Sequence, residues 1–198
     1  MAMNKRIAQG DATRRQLLDV ATQLFAEQGY DLTSIEQVLG EAGVSRGSLY
    51  HHSDSKEQLF EAVVEQLEQG VVEQLMGVVV RHRDPVKILR AGCAHWIALA
   101  EDPAVRQIIL TDAPAVLGWQ RWREIDEQYG FGLLKHGVEA VAEAGRLAVG
   151  DVDVVAHVLL GALNEAAMLV ARAETPVAAR RQATKAVDRL IDGFLRSS

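Results

Sequence analysis

The sequence predicts an all-α protein on three observations. Apolar residues recur with a helical period along almost the whole chain, no segment alternates with period two, and capping residues, Gly and Pro interrupt the pattern where short connections are needed. With 198 residues, 48% hydrophobic and 24% charged, the chain has ample apolar side chain for a core, which excludes a disordered protein. The architecture expected is an N-terminal three-helix helix-turn-helix domain joined to a C-terminal helical bundle, about nine helices in all, without internal repeat, low-complexity tract or flexible linker.

Each element follows from its own residues. Leu17, Leu18, Ala21, Leu24 and Phe25 mark one face of an amphipathic helix that ends near Gly29. Thr33 and Ser34 are N-cap types ahead of Ile35, Val38 and Leu39, and this second helix stops at Gly43. Ser45 can cap a third short helix that runs to about His52. Asp54 and Ser55 introduce a long helix with Leu59, Phe60, Val63, Val64, Leu67, Val71, Leu75 and Val78 on its inner side; its Glu57, Glu61, Glu65, Glu68 and Glu73 read as a solvated face. Further starts or breaks are expected at Asp84-Pro85, Pro103, Pro114, Val149-Gly150-Asp151 and Thr175-Pro176.

Charge and composition narrow the function. A net charge of -6 argues against a surface that coats nucleic acid nonspecifically. Residues 1–15 nevertheless carry Lys5, Arg6, Arg14 and Arg15 against Asp11 alone, a basic arm or a solvated terminus. Residues 42–53, AGVSRGSLYHHS, contain no carboxylate. Helix, Gly-containing turn, helix is the form that presents a second helix to a DNA major groove. In that geometry Gly43 takes the positive φ of the turn, Ser45 caps a phosphate-favouring helix N-terminus, and Gly47 lets the backbone approach closely. Arg46, Ser48, Tyr50, His51 and His52 supply donors to a surface of phosphates and base edges.

The run Thr33-Ser34-Ile35, then Ala42 to His52, then Ser55-Lys56-Glu57-Gln58-Leu59, resembles the signature of the TetR family of bacterial transcriptional regulators over roughly residues 11–60. The resemblance implies that Thr33 or Ser34 and Tyr50 contact phosphates, that Lys56 contacts the DNA backbone, and that Arg46, Ser48 and His51 face base edges or nearby phosphates. One position departs: Ser53 stands where the family usually has Phe, which should loosen packing against the long helix that follows. The resemblance divides the chain into a DNA-binding domain, residues 1–54, and an effector-binding and dimerisation domain, residues 55–198.

The second domain is less diagnostic. Asp102 to Arg106 and Thr111 to Arg123 are similar to a C-terminal domain found in a subset of TetR-like regulators. Trp96, Trp119, Trp122 and Tyr129, with His95, Asp112 and Arg123, can either line a cavity for an aromatic or lipophilic molecule or fill the core. Two late apolar stripes can form a symmetric four-helix dimer interface centred on Leu159, Leu163, Ala166, Val187, Leu190 and Phe194, or serve the subunit's own core. The expectation is a homodimeric regulator, a repressor released from a double-stranded DNA operator by a small-molecule effector. Alternatives are an activator, or an all-α small-molecule enzyme or binding protein that would not need the helix-turn-helix.

Other signals point nowhere. Gly130-Phe131-Gly132 lacks the third glycine of a dinucleotide fingerprint and follows no strand. No histidine pair has metal-ligand spacing and no Ser stands in a nucleophile elbow, so neither a cofactor nor catalysis is expected. The single cysteine, Cys93, reads as a small buried hydrophobe. The N-terminus lacks an apolar signal region and no run reaches the roughly 18 residues of a membrane span. A cytoplasmic protein without membrane contact is expected.

Overall fold

The computed structural model describes residues 2–45, 55–148 and 150–196, and among them every extended regular element is a helix. An isolated antiparallel bridge, Leu147 to Leu195, ties the loop after residue 143 to the C-terminus, helped by the Arg196 N–H donating to the Arg146 carbonyl at 2.9 Å. Packing divides the chain into two compact units, Met1–Leu67 with Pro103–Gln120, and Glu68–Asp102 with Arg121–Ser198. This division differs from the boundary at residue 54 that the resemblance implies.

The first unit is built on α1 (Ala2–Leu32). The basic N-terminal stretch is helical from Ala2 onward, where an arm was one expectation; it contains no Pro and only Gly10, so nothing interrupts the helix. Leu17, Leu18, Ala21, Leu24 and Phe25 are buried, as their spacing predicts. The helix breaks at Gly29, whose φ of 80° and ψ of 169° leave the helical region. Asp112 stitches the break, accepting the Tyr30 N–H at 2.8 Å and the Gln107 Nε2 at 3.0 Å. Helix α2 (Ile35–Ala42) packs against α1 and buries Val38, Leu39 and Ala42. A π-helical segment, Val105–Asp112, also packs on α1 and buries Ile108 and Ile109. Pro114 does not break the chain here, because it falls in the first turn of the short α5 (Ala113–Val116), where its missing N–H has no intrahelical role.

Helix α3 (Lys56–Val79) starts in the first unit and continues into the second from Glu68. In the second unit α4 (Pro85–Leu99) starts at an Asp84 cap that accepts the Lys87 N–H at 3.0 Å, with Pro85 in the first turn. Helix α6 (Gly118–Asp126) leads through a π-helical turn, Glu127–Phe131, into α7 (Gly132–Glu143). Helices α8 (Val152–Ala171) and α9 (Pro176–Phe194) pack on each other and on α4, and α7 packs on α4 and α8. Arg90 of α4 reaches α9 through Asp188 at 3.1 Å and through Asp192.

Two expectations change. Helix α8 is long and apolar enough, by length and composition, to cross a membrane, the one such helix among the described residues, although no such run was expected. Half of that window is buried within the protein, as a core helix requires. On α3, Leu67 is only half-buried, whereas Glu68, expected on a solvated face, is 1% exposed. The buried positions Phe60, Val64, Val71 and Leu75 explain this, for Glu68 completes their i, i+4, i+3 register.

Candidate functional site

Two regions carry chemistry, one in each unit. In the first, Ser34 caps α2 by accepting the Gln37 N–H at 3.1 Å. Gly43 ends the helix at φ 63° and ψ 27°, its N–H donating to the Gly40 carbonyl while the Val44 N–H donates to the Leu39 carbonyl at 3.1 Å. This i to i−5 bond with a left-handed residue is a Schellman closure, the tight turn that a helix-turn-helix requires. Gln16 Nε2 donates to the Ala42 carbonyl at 2.9 Å and fixes the end of α2 on α1.

Of the residues expected at DNA, Arg46, Gly47, Ser48, Tyr50 and His51, together with His52 and Ser53, lie outside the described residues. Ser34 and Ser45 are exposed. Thr33 is buried, at 2% exposure, and its hydroxyl donates to the Gly29 carbonyl at 2.8 Å, so of the pair Thr33 and Ser34 it is Ser34 that faces solvent. Lys56 holds its ammonium 4.1 Å above the Tyr30 ring and 3.4 Å from the Asp31 carbonyl. Tyr30 is in turn stacked with Phe25 and edge-on to Phe60 at 5.0 Å. Burial, then Glu57 and Asp31, push the Tyr30 hydroxyl above its ordinary range.

The second unit contains a cavity of about 210 Å³. Leu75, Val79, Leu89, Leu133, Leu134 and Leu160 supply most of its wall, with Trp96 and Cys93 beside them. Met76 and His136 also line it and are exposed, so it opens to solvent there. Three polar side chains reach it from different helices: Glu68 of α3, Asp126 of α6 and Asn164 of α8, 1%, 5% and 8% exposed. Glu68 Oε2, Asp126 Oδ2 and Asn164 Oδ1 are buried without a hydrogen-bond partner. Such groups cost free energy unless something satisfies them. Burial, with the Asp126 charge adding to it, raises the Glu68 carboxyl to about 8. Burial raises Asp126 to about 6, opposed by the Arg123 charge and the hydrogen bond from Asn164. Cys93 is buried, as expected, and burial raises its thiol to about 12, so it stays a neutral hydrophobe.

Among the seven residues expected around a ligand, Trp96 alone lines this cavity. Trp122 is buried elsewhere, Trp119 is 67% exposed and falls in the first unit, and Asp112 is occupied at the α1 break. Arg123 stands 3.8 Å from Asp126 and 3.5 Å from Glu127; His95 and Tyr129 are half-buried away from the lining. Glu68 and Asn164 were missed because aromatic clustering was the guide. The signal available was a carboxylate or an amide inside an otherwise apolar stripe.

The residues expected at a dimer interface lie on α8 and α9. Leu159, Leu163, Ala166 and Val187 are buried in the subunit's own unit, Leu163 against the cavity, while Leu190 and Phe194 are half-buried. The outer face of α8 instead carries Val154, Val158 and Leu169, exposed by 54%, 47% and 61%. Among the described residues no group of three or more His, Cys, Asp or Glu is placed to hold a metal ion.

Two family models match the chain. Residues 17–63 match the family described as bacterial regulatory proteins, tetR family, and residues 86–194 match the tetracyclin repressor-like C-terminal domain. The Transposon Tn10 TetC protein of Escherichia coli is 25% identical over 150 residues, 76% of each chain. The crystal structure of a TetR-family transcriptional regulator from Pectobacterium atrosepticum superposes with a TM-score of 0.81 at 30% identity, covering 96% of this chain and 97% of that one. A complex of SmeT with triclosan shares the fold, with a TM-score of 0.72 at 24% identity over 94% of this chain and 93% of that one. The chain thus belongs to the TetR family of bacterial regulatory proteins and is a transcriptional regulator, not an enzyme.

Proposed function

We propose that the protein is a homodimeric repressor, acting in the cytoplasm, that leaves a double-stranded DNA operator when a small molecule fills the cavity beside Glu68. Residues 1–54 supply the operator surface, and residues 55–198 bind the effector and the second subunit. The observation that carries the proposal is the cavity itself: an apolar space with a mouth and a few convergent, unsatisfied polar groups is what a ligand site consists of. SmeT, a protein of the same fold, forms a complex with triclosan. Helix α3 is the physical link, since one continuous helix carries Lys56 at its start and Glu68 at the cavity. A ligand that prefers one placement of α3 lowers operator affinity by the ratio of its affinities for the two states. Ser34 and Ser45, with Arg46, Gly47, Ser48, Tyr50 and His51, are the residues offered to phosphates and base edges, and Lys56, 4.1 Å above the Tyr30 ring, is offered to the DNA backbone.

The dimer forms through the outer face of α8, because Val154, Val158 and Leu169 are large apolar side chains left exposed along one helix. The test starts by sequencing DNA fragments selected by the purified full chain, followed by light scattering and mobility shift on the selected site. The expected result is a dimer bound to a two-fold symmetric site and displaced by small lipophilic molecules. A monomer at micromolar concentration, or selection of no sequence, contradicts the proposal.

A further inference from the structure

On the reading that this cavity is the effector site, we infer that its effector is an organic cation, an ammonium group on an apolar body, whose N–H groups meet Glu68, Asp126 and Asn164. The three unpartnered buried atoms that belong to cavity-lining residues are all oxygens. A ligand that satisfies carboxylate and amide oxygens must donate, and a primary ammonium has three N–H donors and no acceptor. Among the described residues no Lys or Arg lines the cavity. Arg123, the nearest cation to Asp126 Oδ2, stands at 3.8 Å, beyond hydrogen-bond reach, and also faces Glu127. An anionic ligand would meet two carboxyl groups, offset only by Arg123, which is shared between Asp126 and Glu127. A hydrated metal ion would meet mostly aliphatic wall, which supplies too few oxygens for its shell.

Binding of an ammonium at Glu68 is coupled to release of a proton. Burial keeps Glu68 protonated to about 8, so an arriving ammonium exchanges for that proton, which leaves to solvent, and the buried carboxylate gains a charged partner. The other titratable groups on the lining are Asp126, raised to about 6, Cys93, neutral, and His136 at the exposed mouth. Trp96 also lines the cavity, and an aromatic ring there favours the same charge.

The experiment is calorimetric titration of the full chain at about pH 7, a pH at which an alkylammonium keeps its charge, with n-octylammonium, 1-octanol and octanoate, which share one apolar body. Octylammonium should bind about tenfold or more tighter than octanol, with octanoate weakest, and Glu68→Gln should erase the preference. Asn164→Leu is a second variant, expected to weaken octylammonium several-fold and to change octanol little. Ala140→Trp, which fills the cavity, should remove the binding of all three. Octylammonium that still binds Ala140→Trp is held by the acidic surface, and the inference fails. Octanol equal to octylammonium, octanoate preferred, or a preference that survives in both Glu68→Gln and Asn164→Leu also overturns it, while leaving a ligand cavity in place. Binding of none of the three overturns both the cation and the cavity.

Discussion

A carboxyl group in register with Phe60, Val64, Val71 and Leu75 sets the pH behaviour of the fold. Glu68 holds its proton to about 8 in the folded chain and releases it near 4.5 when unfolded. Between those values the native state binds more protons than the unfolded state, so stability falls as pH rises. Asp126 has the same sign, from its ordinary 3.8 to about 6. Above about pH 6 the remaining slope belongs to Glu68. Glu68→Gln should flatten the fall between pH 6 and 8 and stabilise the protein at pH 8 by on the order of 1–3 kcal/mol. Denaturant titrations at pH 6 and pH 8 check this, and an unchanged slope in the variant contradicts it. The residue escaped sequence reading because a Glu among five on one helix looks solvated. Its position four residues after Val64 and three before Val71 was the evidence that it points inward.

At the scale of elements, the α2 turn and the outer face of α8 make opposite demands. Gly43 adopts φ 63° with nothing within 4 Å of where a Cβ would stand, so substitution there is resisted by backbone conformation alone. Gly43→Ala should cost about 1 kcal/mol and Gly43→Asn distinctly less, because Asn tolerates the left-handed region. Thermal melts of the two variants measure the difference, and equal melts for Ala, Asn and parent contradict it. On α8, Val158→Glu puts a charge on the proposed dimer face and should give a folded monomer, whereas Leu163→Glu buries that charge beside the cavity and should unfold the chain. Light scattering with circular dichroism separates the two; a folded dimer in Val158→Glu contradicts the interface. Helix starts and stops were legible, including the Ser34 cap, the Gly43 stop and the starts near Asp84-Pro85 and Gly150-Asp151, because each is a local event. Which face of α8 is outward was not, because an apolar helix has apolar residues on both faces and only packing selects between them.

For the whole molecule, the all-α fold was legible from period and caps, and the TetR family from the resemblance of Thr33 to Ile35, Ala42 to His52 and Ser55 to Leu59. The cavity was not, because its lining comes from α3, α4, α6, α7 and α8 together with the π-helical turn before α7, and only tertiary packing brings Glu68, Asp126 and Asn164 to one space. The proposed coupling between cavity and operator is reciprocal. It is tested most directly by measuring the operator affinity with and without a saturating cavity probe, and the probe affinity with and without saturating operator, using whichever octyl compound binds. The two affinities should fall by the same factor, about fivefold or more. An operator affinity that is unchanged with the cavity filled contradicts the account.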